Sequence, residues 1–118
     1  MINILIKSTF EGETMTTHNS SFSQACDVIN KRWNALIIDF LMQGEKRFSE
    51  IAAEIPGISS RMLAQRLKEL EDAQIVVRTV YPEIPVRIIY TLSERGYDLR
   101  GLLDAQRAWA ERWYGHKS

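Results

Sequence analysis

From Phe22 onward apolar residues recur at helical spacing: Phe22, Cys26, Ile29, Trp33, Leu36, Ile37 and Phe40. Ser21-Phe22-Ser23-Gln24 matches a capping box, with Ser21 as N-cap and Gln24 reaching back to it. The pattern fits one helix bent near Asn30 or two shorter helices, and Gly44 supplies a stop. A second amphipathic helix, Ser49 to Ile55, turns Ile51, Ala52 and Ile55 inward and ends at Pro56-Gly57. Ser59 or Ser60 then caps a third helix running to about Ala73, with Met62, Leu63, Leu67 and Leu70 as its apolar stripe. Two helices joined by a tight Pro-Gly turn predict a helix-turn-helix.

The period then changes. Residues 75–81 are β-branched and strand-like, Pro82-Glu83-Ile84-Pro85 interrupts any ladder, and residues 86–92 return. A hairpin directly after a helix-turn-helix is a wing, here spanning 75–92. Ser93 caps a final helix over about 93–114, with Leu99, Leu102, Leu103, Trp109 and Trp113 on its apolar face. So apolar a terminal helix calls for a partner surface, and a second copy of the chain is the expected one. The fold class predicted is mainly α with a small β-hairpin (α+β), a winged helix-turn-helix over residues 20–118.

Residues 1–19 differ. Ile2, Ile4 and Ile6 alternate with Asn3 and Leu5, a weak strand signal, and the following stretch to Ser21 is polar. A flexible arm is expected there, and Met15 offers a second translation start.

Composition narrows the chemistry. The 118 residues fit one domain, and 15 basic against 15 acidic residues leave no net charge. Affinity for nucleic acid must therefore come from how charge is distributed. The single cysteine, Cys26, rules out an intramolecular disulfide. No apolar run approaches the ~18 residues of a membrane span, and residues 1–10 lack a signal-peptide pattern, so a cytoplasmic protein is expected. His18 and His116 are far apart, and no metal-ligand spacing, glycine-rich phosphate loop or nucleophile–base pair is present. No metal, cofactor or enzymatic activity is expected.

The third helix carries the sharpest signal. Ser60, Arg61, Ala64, Gln65 and Lys68 lie opposite the leucine stripe. In a helix-turn-helix this face enters the major groove. Arg61 suits guanine and Gln65 suits adenine. Ser59 and Ser60, at the helix start, suit a phosphate, and Lys68 suits the DNA backbone. A merely solvated face is the alternative, which the adjoining wing disfavours. Arg78 and Arg87 flank the wing turn, where they could follow the minor groove or pair with Glu83. Lys46 and Arg47 could touch phosphate or be ordinary surface charge. Glu69, Glu71 and Asp72 would repel DNA from the far end of the third helix. Cys26 reads as a small buried hydrophobe or, given exposure and a lowered pKa, a redox-sensing thiol.

Lys31-Arg32-Trp33-Asn34-Ala35-Leu36-Ile37 resembles the G-K-W-x-x-L-I opening of the HxlR family of regulators. Arg47 to Ile51, Pro56 to Ser59, Met62 to Leu70 and the wing segment from Val77 to Arg87, followed by Tyr90-Thr91-Leu92 and Gly96, are similar to the same family. The likeness covers about residues 20–113 and is nearest the YodB-like branch of quinone- and electrophile-sensing repressors. It implies a homodimer through the first and last helices, bound to double-stranded DNA at an inverted repeat. It carries Ser59, Ser60, Arg61, Gln65, Arg66 and Lys68 toward DNA, with Arg78 and Arg87 from the wing. Arg66 lies toward the flank of the stripe, where it could brace the fold instead. Sensing members carry a cysteine just before the first helix, a position that falls at Asn19 or Ser20 here, so the resemblance does not extend to that thiol. The effector stays open. A winged-helix module that binds protein and never DNA is the competing reading of the same elements.

Overall fold

The computed structural model describes residues 20–115. The arm, Met15 and both histidines lie outside the described residues. Those described fall into two units, one ending at Lys31 and one beginning at Arg32.

The first unit contributes α1 (Ser21–Ile29). Its N-cap is Ser20, one residue ahead of the predicted Ser21. Ser20 holds extended backbone, and its Oγ accepts from the Ser23 amide at 3.0 Å. Cys26 is half-buried on this helix, which has no fully buried residue.

The second unit opens with Trp33 at φ 82°, a left-handed conformation uncommon for a bulky residue. Trp33 is the N-cap of α2 (Asn34–Leu41). Of the two sequence alternatives, two short helices are therefore observed. Arg47 is the N-cap of α3 (Phe48–Glu54), its amide donating to Glu50 Oε1 at 2.8 Å. Gly57, at φ 90°, turns the chain toward α4 (Ser60–Asp72). Ser59 is the cap of α4, accepting from the Met62 amide at 3.0 Å.

The antiparallel strands β1 (Val76–Tyr81) and β2 (Arg87–Leu92) pair from Val76 with Leu92 to Tyr81 with Arg87. Lys46 bridges to the other side of β2, exchanging two backbone hydrogen bonds with Tyr90 at 3.0 and 2.8 Å. Helix-turn-helix α3–α4 followed by this hairpin is a winged helix. Its core is apolar and continuous: Ile37, Ile38 and Leu41 of α2, Ile51 of α3, Leu63, Leu67 and Leu70 of α4, and Val76, Ile89, Tyr90 and Leu92 of the hairpin are all buried. At roughly 1.5–3 kcal/mol per buried large aliphatic side chain, the three leucines fix which face of α4 points outward.

The C-terminal segment departs from the expected single helix. Ser93 caps a short α5 (Glu94–Tyr97), and α6 (Arg100–Tyr114) begins after a break at Asp98-Leu99. Ser93 accepts from the Gly96 amide at 3.1 Å and its hydroxyl donates to the Gln74 carbonyl at 2.6 Å. These bonds pin α5 to the start of β1. The Leu99 amide then reaches back only three residues, to Gly96, tightening the turn before α6.

Among the described residues no helix is long and apolar enough to cross a membrane, and no group of three or more potential metal ligands occurs.

Candidate nucleic-acid interface

The leucine stripe of α4 is buried, so Ser60, Arg61, Ala64, Gln65 and Lys68 face outward, all exposed. Arg61, in the first turn, has no hydrogen-bond or ion-pair partner among the described residues. Gln65 Nε2 donates to Glu69 Oε2 at 3.2 Å. Lys68 Nζ lies 3.2 Å from Asp72 Oδ1. Both contacts join exposed groups one turn apart, and such pairs contribute only about 0.3–0.5 kcal/mol. A ligand can displace them at little cost.

Arg66 is placed differently. Its side chain is 12% exposed. Nε donates to the Arg32 carbonyl at 3.1 Å, and an Nη donates to Glu69 Oε1 at 3.0 Å. It is tied into the protein, as the flank position of the helix allows, while the other five residues from Ser59 to Lys68 named as candidates stand at the surface.

The wing arginines also differ from each other. Arg87 makes two hydrogen bonds to Glu83, at 3.3 and 3.1 Å, and its guanidinium stacks 4.1 Å over the Tyr81 ring. Their mutual hydrogen bond, helped by opposite charge, holds the Glu83 carboxyl below its usual range and the Arg87 guanidinium above its own. Arg78 has no such partner among the described residues. It lines a cleft of about 250 Å³ between α4 and the hairpin, together with Ala64, Leu67, Lys68, Glu71 and Tyr90. Lys46 Nζ sits 4.6 Å over the Phe40 ring, and Arg47 is exposed at the start of α3.

One residue of this region, Tyr90, has no role in the sequence reading beyond its place in the strand. Tyr90 lies opposite Arg78 in the register; counting outward from a Pro82–Pro85 turn would have set Arg78 against Ile89, because the loop between the paired residues Tyr81 and Arg87 is one residue longer, 82–86. Glu83, the carboxylate that the sequence offers to the wing arginines, pairs with Arg87.

A second surface lies on α6. Leu103 is buried and, with Ala110, lines a groove against Ala35 and Leu36 of α2. Leu102, Trp109 and Trp113, spaced i, i+7 and i+11, form a neighbouring stripe and stay exposed, the two tryptophans at 56% and 62%. Arg107 forms an ion pair with Asp39 at the edge of the groove.

Residues 28–118 match the family model described as HxlR-like helix-turn-helix. The chain belongs to that family. This HxlR-like protein is 50% identical over 102 residues to the HTH-type transcriptional regulator YodB of Bacillus subtilis (strain 168), covering 86% of this chain and 88% of that protein. The solved reduced form of YodB from B. subtilis superposes with a TM-score of 0.71 at 49% identity, over 81% of this chain and 94% of that one. The redox regulator HypR in its reduced form superposes with a TM-score of 0.75 at 34% identity, over 79% of this chain and 92% of that one. The HxlR-like likeness thus spans the helix-turn-helix, the wing and α6 together.

Proposed function

We propose that this protein is a sequence-specific DNA-binding transcriptional regulator, a homodimer on an inverted-repeat operator in the cytoplasm. The observation that carries the reading is Arg61: exposed, unpartnered among the described residues, and on the outward face of the first turn of α4. An arginine so placed can address guanine O6 and N7 with two parallel hydrogen bonds. Gln65, one turn on, can address adenine after releasing Glu69. Ser59 and Ser60 meet phosphate at the helix start. Lys68 and Arg78 add charge at the flank. Arg66 braces α4, and Arg87 stiffens the wing through Glu83. The regulators YodB and HypR, similar in sequence and fold, support the regulatory role. Repression is the sign of control supported by the resemblance to the quinone- and electrophile-sensing branch.

The test is selection of bound fragments from the host genome, followed by titration of the selected duplex with parent and Arg61→Ala. The variant is expected to bind about 1–3 kcal/mol more weakly and to relax specificity at one base pair per half-site. Equal affinity for the selected site removes Arg61 from base readout.

One observation favours the second reading, a protein-binding module. Ile84 and Val86 leave the wing tip apolar and exposed. Salt titration separates the two, since DNA affinity falls with rising salt through counterion release. A parent protein with no salt-sensitive DNA binding would be the module.

A further inference from the structure

Both faces of the hairpin carry buried residues, Ile89 on one and Val76, Tyr90 and Leu92 on the other. Val76, Arg78 and Val80 share a face with their partners Leu92, Tyr90 and Ile88. Val76, Tyr90 and Leu92 are buried on that face, while Val80, nearer the turn, is exposed. Arg78 stands on it too, yet is exposed and has no hydrogen bond or ion pair among the described residues. Its side chain lines the cleft between α4 and β1, together with Leu67 and Tyr90. Lys68 lines the same cleft from the α4 side. Its ion pair with Asp72 joins side chains 69% and 65% exposed, so the ammonium is readily surrendered.

We propose that this cleft seats a single DNA backbone phosphate, held between Arg78 and Lys68. The proposal rests on α4 being the recognition helix: the sugar-phosphate strand that separates the major groove, filled by α4, from the minor groove beside the wing must cross between those two elements. Two cations on opposite walls match one phosphate there. Glu71, at the same cleft, disfavours a second.

The test uses the full chain, a selected operator duplex and a mixed-sequence duplex of about two helical turns, with affinity measured by anisotropy across a salt series. Arg78→Ala is expected to weaken both duplexes by the same factor, roughly tenfold near 0.1 M salt, and to lower the salt slope by about one. Lys68→Ala should behave likewise. Arg78→Lys should keep the slope, which separates charge from folding. An unchanged slope in Arg78→Ala, with the parent still salt-sensitive, overturns the phosphate seat and leaves the α4 reading standing. Selective loss on the operator alone would make Arg78 a base reader and also overturns it. A parent that shows no salt-sensitive binding to either duplex overturns both.

Discussion

Arg66 of α4 donates from Nε to the carbonyl of Arg32, 3.1 Å away and immediately before the left-handed Trp33. The same guanidinium holds Glu69, while Arg32 stacks 4.5 Å over the Trp33 ring. One side chain thus ties α4 to the corner from which α2 starts. Hydrogen bonds from a charged donor contribute about 1.5–3 kcal/mol, the lower part of that range where solvent is near. Arg66→Ala is expected to lower unfolding stability by about 1–2 kcal/mol in urea titration, and Arg66→Lys should restore little because a single ammonium lacks the fork. An Arg66→Ala protein of parental stability with lost DNA affinity would move Arg66 back to the DNA face.

Gly96 makes a comparable prediction from packing. A Cβ built there would sit 2.4 Å from the Ile75 carbonyl oxygen and 3.0 Å from Leu92 Cδ2. The nearest obstacle is backbone, which cannot swing aside as a side-chain tip can. Gly96→Ala should cost about 1–3 kcal/mol, the usual range for forced overpacking. Thermal unfolding measures it; a variant as stable as the parent would show that α5 can lift from β1 freely.

The helix-turn-helix was legible in the sequence because its signals agree: leucines at helical spacing, Ser59 as a cap, and Pro56-Gly57 as a turn all require the same chain path. The wing was legible for the same reason. What escaped were features set by tertiary contact. Nothing local marks the break at Asp98-Leu99, since Leu99 to Trp113 reads as one helix; the break follows from Ser93 and Gly96 being pinned to residues 74 and 75. The cap of α1 slid by one because Ser20, Ser21 and Ser23 are equivalent in composition, and only backbone dihedrals choose among them. On the candidate face, the spacing that exposed Arg61 and Gln65 was correct, but no pattern tells a free arginine from one already engaged. Arg66 and Arg87 have partners on the protein, and Arg61 and Arg78 have none among the described residues.

Glu83 is the carboxylate that occupies Arg87, and it stands on the wing that would meet a polyanion. Glu83→Gln removes that charge and leaves the Arg87 guanidinium available. The substitution is expected to tighten DNA binding and steepen its salt dependence. The direction with pH follows from the same pair. Arg87 holds the Glu83 carboxyl below its ordinary range in the folded state, so the contact's contribution is complete above the unfolded pKa and is lost as pH falls through the lowered folded value. The clamp should persist through neutral pH and open only in acid, which the Arg87 side-chain N–H resonances would follow. Glu83→Gln binding DNA no better than the parent would mean that Arg87 is a strut in the bound state as well.

The exposed stripe of α6 bears on assembly. Trp109 and Trp113 project from the same side of the helix as Leu102, next to the buried Leu103 side but not part of it. Aromatic side chains bury about 150–250 Å² each and dominate interface energetics. Proposed as the dimer surface, this stripe brings two copies together through groups the protomer does not use for its own core. Trp109→Asp should therefore shift the protein from dimer to monomer at micromolar concentration, by about 2–4 kcal/mol of association energy, while its helical circular dichroism stays parental. Leu103→Asp should instead unfold the protomer, because that position is core. Loss of the dimer would also abolish binding to an inverted repeat and leave only half-site affinity, since the paired recognition helices must sit about one helical turn apart. Sedimentation of both variants decides the matter: a Trp109→Asp dimer, or a parent that is monomeric at micromolar concentration, puts the α6 stripe to some other use.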